Sequence, residues 1–429
     1  MTARSPLKSE VCRLMPRHTP LLSPELVVIL AGVTAALHVG KLPPALPLLR
    51  ETLGVTLLQA GFLLSLVQVA GMALGLVVGL TADGLGLRRS MLAGLVILAV
   101  ASALGGFADT PTQLLLLRAA EGCGFLLASL PAPSLIRRLV PGERLSRRLG
   151  LWGAYMPTGT ALALLAGPWV MGAGSWPLWW WLLAAWSAVM ALWLVRAVPA
   201  DPPRTVRPSP AAAAPAAAPN GWAQRLRLTL GSRGPWLVAL AFAAYSSQWL
   251  AVIGFLPSIY AQAGLAGPVA GSLTALASAA NILGNVGAGR LLWRGWRAPR
   301  LLVIGYVAMA LGAFIAFALP AGEGAWRPVL RYAAVLVFSS VGGLIPGALF
   351  SLAVRLSPSE QTVSTTVGWV QQWSSLGQFA GPPLVAAVAA AVGGWQWTWG
   401  VTGTASLLGL GLAGWIAVAL RAIDPVTPR

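Results

Sequence analysis

Residues Gly79–Arg89 read GLTADGLGLRR, a short polar stretch at the junction of two apolar runs, 56–80 and 90–108. It holds one acid, Asp83, among glycines and ends on Arg88 and Arg89. A turn this short between runs this apolar predicts two helices that cross a bilayer, because about 20 apolar residues span the hydrocarbon core. The whole chain has the same character. Hydrophobic residues make up 57% of its 429 residues and charged residues only 9%, with a mean hydropathy of +0.75. A soluble domain carries roughly 25% charged residues, so this chain cannot cover a water-facing surface. The apolar runs are continuous rather than alternating, which argues against a transmembrane barrel.

Working outward, apolar runs predict helices at 25–48, 56–80, 90–108, 112–136, 149–172 and 176–197. A second set follows at 236–261, 269–292, 301–320, 329–354, 363–388 and 396–421. Between the sets lies 199–234, with PSPAAAAPAAAP at its centre, a composition with nothing to bury that reads as a linker. The organisation expected is a tail at 1–24, one six-helix bundle at 25–198, the linker, a second bundle at 235–421 and a tail at 422–429. The net charge of +18 does not imply nucleic acid. The basic residues gather at helix ends on one side, as in Arg137, Arg138, Arg144, Arg147 and Arg148, and in Arg290, Arg294, Arg297 and Arg300. Arg50, Arg327 and Arg331 fall on the other side, and Lys41 and Arg118 within helices. This bias predicts both termini in the cytoplasm. Trp176, Trp179, Trp180 and Trp181, and likewise Trp395, Trp397 and Trp399, are then expected to anchor helices at the outer interface. Met1–Ser23 is polar and basic and reads as a cytoplasmic tail rather than a cleavable signal.

The two sets also repeat. Leu46-Pro47 and Leu256-Pro257 lie 210 residues apart, as do Gly79 and Gly289, while Arg138, Pro141, Glu143 and Trp152 have counterparts 217 residues on. Together these features resemble the major facilitator superfamily. Gly79, Asp83, Gly86, Arg88 and Arg89 are similar to that family's loop after the second helix, while Gly84 and Leu87 stand where it usually carries basic residues. The resemblance implies an all-α fold of 12 transmembrane helices in two pseudo-symmetric six-helix bundles, with a solute site between the halves. It gives Gly79, Asp83, Gly86, Arg88 and Arg89 the role of a gating motif, with Asp83 pairing to arginines or helix N-termini.

Charged groups at membrane depth are the sharpest functional signals. Lys41 is one of two lysines in the chain, the other being Lys8. It is either a solute-facing cation or a side chain snorkelling outward. His38, on the same stripe, is a packed polar residue, a solute contact or a proton carrier. Arg118 and Glu121 share a helical face and form either a structural ion pair or a proton-coupling pair, in which Glu121 accepts the proton and Arg118 modulates it or binds the solute. Arg118 also resembles the helix-4 arginine of many proton-coupled members of the superfamily, here within RAAEGCG. Further candidates for solute contact are Gln68, Tyr155, Tyr245, Gln248, Asn281 and Gln372, although intramembrane amides more often join helices. Gln248 lies 210 residues after His38. Gly159, Gly167-Pro168 and Gly172 resemble a pattern of exporters in the superfamily, and the stretch His38, Lys41, Pro44 is similar to its cyanate/nitroimidazole branch.

No catalytic constellation, metal-ligand spacing or P-loop is present, so neither an enzyme nor a cofactor is expected. The expected function is secondary active transport of a small organic anion or polar metabolite by alternating access, coupled to H+. The alternative is proton-driven export of drug-like or hydrophobic compounds. The expected setting is a monomer in the bacterial inner membrane, with the small-molecule solute and the lipid bilayer as its partners.

Overall fold

The computed structural model describes residues 22–201, 221–319 and 326–423. Within them, the side chains of 78–85, 142, 143, 146, 147 and 423 lie outside the description. The expected tails, the centre of the linker, and the Gly79 and Asp83 side chains therefore fall outside it in whole or in part. The stretch expected as a linker is helical over Trp222–Gly231.

Among the described residues, twelve long helices follow one another. In the first half they are α1 (Pro24–Leu53), α2 (57–85), α3 (Leu87–Gly105), α4 (Pro111–Leu139), α5 (Tyr155–Ala173) and α6 (Trp176–Ala197). In the second they are α7 (Arg233–Gln262), α8 (Gly267–Trp293), α9 (Ala298–Ala318), α10 (Trp326–Arg355), α11 (Val363–Val392) and α12 (Thr398–Ile423). Eleven are long and apolar enough to cross a membrane. The twelfth, α5, is diluted by Pro157, Gly159, Gly167 and Pro168.

Breaks in these helices have identifiable causes. In α1, the segments Pro24–Gly40 and Leu42–Leu53 meet at Lys41, just before Pro43 and Pro44. Proline has no N–H to donate, so carbonyls one turn earlier lose their helical partner. In α2, a 3₁₀ turn at Leu66–Gln68 interrupts the helix, and α4 lies directly on it. A Cβ added at Gly122 would come within 2.9 Å of the Leu66 and Val67 carbonyl oxygens.

The halves join differently at their two ends. Away from the arginines they share one apolar core, in which Leu42, Leu46 and Leu64 meet Ala251, Phe255 and Val385. Toward the Arg-rich end the first half closes a core of its own around Val27, Met91, Leu135 and Leu194. Polar bridges add to the seam. Gln68 Nε2 donates to Gln378 Oε1 at 3.0 Å, and the Leu76 N–H donates to Gln372 Oε1 at 3.0 Å. On the other flank, Ser278 Oγ donates to the Pro157 carbonyl at 3.4 Å.

Candidate functional site

The helix breaks create the site. Arg118, on α4, reaches across to the exposed carbonyls of α1 and α2: Nε donates to Leu63 O at 3.0 Å, and Nη1 and Nη2 to the His38 and Val39 carbonyls. The guanidinium thus substitutes for backbone donors that the broken helices lack. One turn further along α4, Glu121 Oε2 accepts from Arg118 Nη1 at 2.7 Å. Its other oxygen, Oε1, accepts from Lys41 Nζ at the break in α1. Lys41 Nζ also donates to Ser102 Oγ on α3 at 3.0 Å, and Ser102 Oγ in turn donates to Trp180 O at 2.9 Å.

Lys41 is therefore neither solute-exposed nor snorkelling. It is 0% exposed, and its ammonium lies 4.7 Å from the centroid of the Trp180 ring on α6. A lysine stem long enough to turn inward finds an acid and an aromatic face there, which offset the loss of hydration. The tryptophans need the matching correction. Trp176, Trp179 and Trp180 were expected at the outer interface, but all three are buried, and Trp179 Nε1 donates to Lys41 O at 3.3 Å. Trp181 is the more exposed of the group. His38 completes the cluster. Its Nε2 is hydrogen-bonded to Ser187 Oγ of α6 at 2.8 Å, and Nδ1 stands 3.5 Å from Glu121 Oε1 without a hydrogen bond.

The remaining candidates lie apart from this cluster and have protein partners. Gln68 and Gln372 fasten α2 to α11. Tyr155, half-buried, stacks on Trp152 with centroids 4.1 Å apart. Asn281 Nδ2 donates to Tyr245 Oη and to Ser339 O, both at 2.9 Å, so α8 is tied to α7 and α10 without any charge. Gln248 accepts from Ser406 Oγ at 2.8 Å and donates to Ala244 O. Gln248 also lines an apolar crevice of about 960 Å³ between α7, α11 and α12, rimmed by Leu384, Leu408 and Trp415. The cluster and this cavity lie in different halves. In α5, Gly159 and Gly167 serve close packing, the first against Ala36 and Val33 of α1 and the second against Pro44 and Trp179.

At the Arg-rich end, Gly86 takes φ +84°, a backbone that suits glycine, and α3 begins there. The first turn of α3 is capped from a distance by Asp201, just past α6. The backbone N–H groups of Arg88 and Arg89 donate to its Oδ1 and Oδ2 at 3.1 and 3.0 Å, and Arg138 Nη1 donates to Oδ1 at 2.9 Å. Burial pushes the Asp201 carboxyl up, but these N–H groups and the Arg138 guanidinium together hold it below its ordinary value. Arg88 Nη2 donates to Val195 O at 2.5 Å, so the arginine also braces α6. A Cβ at Gly86 would meet Asp201 Oδ2 at 2.7 Å. Asp201 was not among the sequence candidates. Its local setting, an acid four residues past the end of α6 and before Pro202-Pro203, does not point to its partners.

Residues 28–382 match the family model of the Major Facilitator Superfamily. Among curated proteins, the chain is 26% identical over 257 residues to the cyanate transport protein CynX of Escherichia coli, covering 58% of this chain and 62% of that one. It is 35% identical over 150 residues to the puromycin resistance protein pur8 of Streptomyces alboniger, covering 34% and 28%. An MFS-type transporter of Mycobacterium tuberculosis matches at 31% over 195 residues, covering 44% and 28%. The matched region thus spans under a third of the last two relatives. Among solved structures, a bacterial homolog of the human lysosomal transporter Spinster superposes with TM-score 0.71 at 15% identity, covering 92% of this chain and 96% of that one. A D-xylose-proton symporter superposes with TM-score 0.69 at 17% identity, covering 91% and 96%. These two likenesses concern the fold.

Proposed function

Because this chain belongs to the Major Facilitator Superfamily, and is a transporter rather than an enzyme, we propose that it moves a small organic anion or polar metabolite by proton-coupled alternating access. The observation that carries this reading is the enclosed cluster of Lys41, Arg118, Glu121 and His38, which joins α1 to α3, α4 and α6. Ionisable groups at membrane depth are retained where they bind or couple, because placing them there is expensive. Two cations against one acid favour an anionic cargo approaching the first half, and the likeness to a cyanate transport protein supports the same class. The moving units are 25–198 and 235–421, and the arginine distribution supports a cytoplasmic face at both termini and at 199–234, in a bacterial inner membrane. The chain works as a monomer.

The test uses purified protein in proteoliposomes with an imposed pH gradient and radiolabelled cyanate. Accumulation that collapses with a protonophore is expected. Equilibration indifferent to the gradient would remove the coupling, and no uptake at all would remove cyanate as cargo.

A second reading has its own support. The crevice between α7, α11 and α12 is apolar and lies along membrane-spanning helices, a setting suited to a hydrophobic cargo entering sideways. Puromycin efflux from cells expressing the chain, blocked by filling the crevice with Ala405→Trp, would favour export. Unchanged efflux in that variant would remove the crevice from the route.

A further inference from the structure

The cluster in the first half is unequal in charge. Among the described residues it holds two cations, Lys41 and Arg118, and one acid, Glu121, with side chains no more than 3% exposed. The other elements packed around Lys41 bring Ser102 from α3, Trp180 and Ser187 from α6, and His38 from α1 itself. Of these, only His38 can take a charge.

A buried ion without a counter-ion is costly, and a group able to neutralise does so instead. Arg118 is not such a group. A guanidinium keeps its proton, and this one is bound to backbone carbonyls of α1 and α2. Protonating Glu121 would leave two cations with no acid between them. Protonating His38 would add a third cation. Releasing a proton from Lys41 leaves Arg118 and Glu121 as a balanced pair, and the amine keeps N–H groups to donate to Ser102 Oγ, whose own proton is held by the Trp180 carbonyl. The Trp180 ring and Glu121 favour the ammonium, while enclosure and Arg118 favour the amine. A carrier needs both forms within reach.

We propose that Lys41 is the proton-carrying residue of the transport cycle, with Glu121 its permanently ionised partner. The Nζ–H bond breaks, the electron pair stays on nitrogen, and the proton passes to water on whichever side the cluster opens. Loading reverses these steps. The position suits the role. Lys41 is the joint between the two segments of α1, and the outer segment, Leu42–Leu53, packs onto α7 in the core shared by both halves. Discharging the ammonium removes the ionic tie from α1 to Glu121 of α4, which frees this joint to move. The role in transport rests on the proton-coupled reading above, whereas the exchange of the proton is measurable without any cargo.

The chain contains two lysines, so one substitution isolates the group. The full-length chain carrying Lys8→Arg, labelled with ¹³C and ¹⁵N in lysine only, gives a single side-chain signal in lipid nanodiscs. That signal should pass from ammonium to amine with a midpoint at least about one pH unit below the ~10.4 of an exposed lysine. An ammonium that persists past about pH 10 overturns the proposal. In proteoliposomes, Lys41→Arg keeps the cation and the contact to Glu121 but cannot release a proton. It should lower gradient-driven cyanate accumulation at least about tenfold. Wild-type accumulation by Lys41→Arg means that a fixed cation suffices, and overturns the carrier role. Should the unmodified chain equilibrate cyanate without regard to the gradient, the coupled-transport reading fails, while the titration still decides whether Lys41 exchanges its proton.

Discussion

The two halves fasten their first and last helices with corresponding bonds, and differ in what stands beside them. In the first half His38 of α1 is bonded to Ser187 of α6, and in the second Gln248 of α7 is bonded to Ser406 of α12, each at 2.8 Å. Gln248 lies 210 residues after His38, so the repeat visible in the sequence is also a repeat of contacts. Three residues further along, the halves part. Lys41 corresponds to Ala251, and at the offset of 217 Arg118 and Glu121 correspond to Val335 and Phe338. The second half fills this space with apolar side chains and joins α7, α8 and α10 through Tyr245, Asn281 and Ser339 instead. Apolar packing and neutral hydrogen bonds suffice to hold such a bundle. The ionic version of the same architecture is therefore better explained by function than by stability, since a buried ion pair replaced by well-packed apolar groups is often no less stable.

The comparison breaks most easily at Glu121. Glu121→Gln strips both buried cations of their counter-ion, and losing one member of a buried pair costs about 3–5 kcal/mol. A large fall in melting temperature in detergent is expected. Lys41→Gln should cost clearly less, because Arg118 and Glu121 remain paired. Equal falls would mean that the unequal charge of the cluster does not matter to the fold.

The next effect lies at the Arg-rich end. Asp201→Ala removes the cap of α3 and the partner of Arg138, and loss of an N-terminal cap costs about 0.5–2 kcal/mol. The pH behaviour separates this contact from the cluster. The Asp201 carboxyl is held below its ordinary value, so its contribution is complete above that ordinary value and fades only as pH falls through the lowered one. The pH midpoint of coupled transport should therefore survive Asp201→Ala unmoved. A displaced midpoint would link the loop to the titrating group.

Sequence and structure diverge where chain direction, not composition, decides. The twelve helices and the repeat were legible because apolar runs of membrane length have few other readings. The Arg118–Glu121 pair was legible because three residues on one helix fix a shared face. The direction of Lys41 was not. It stands where prolines break α1, so regular helical spacing no longer gives its azimuth. The same limit misplaced Trp179 and Trp180, since aromatic residues at a helix start suit an interface as well as a cation beneath them. Asp201 was out of reach for another reason. Its partners Arg88 and Arg89 are more than a hundred residues away in the chain, and no local pattern carries that information.

The smallest effect gives the sharpest comparison. Ser187→Ala and Ser406→Ala each delete one hydrogen bond between the first and last helix of a half, and intramembrane hydrogen bonds are worth about 0.6 kcal/mol on average. The two variants should melt alike. Their pH profiles should not be alike. Ser187 holds the imidazole whose other nitrogen stands 3.5 Å from Glu121, so its loss loosens a group beside the charged cluster and should shift the midpoint of uptake. Ser406 holds an amide with no titratable group beside it in the corresponding bond, and its loss should leave the midpoint in place. Matching shifts in both variants would show that the profile follows the general tightness of the helices. A shift confined to Ser187→Ala would place the titration in the first half, where the architecture keeps its charges.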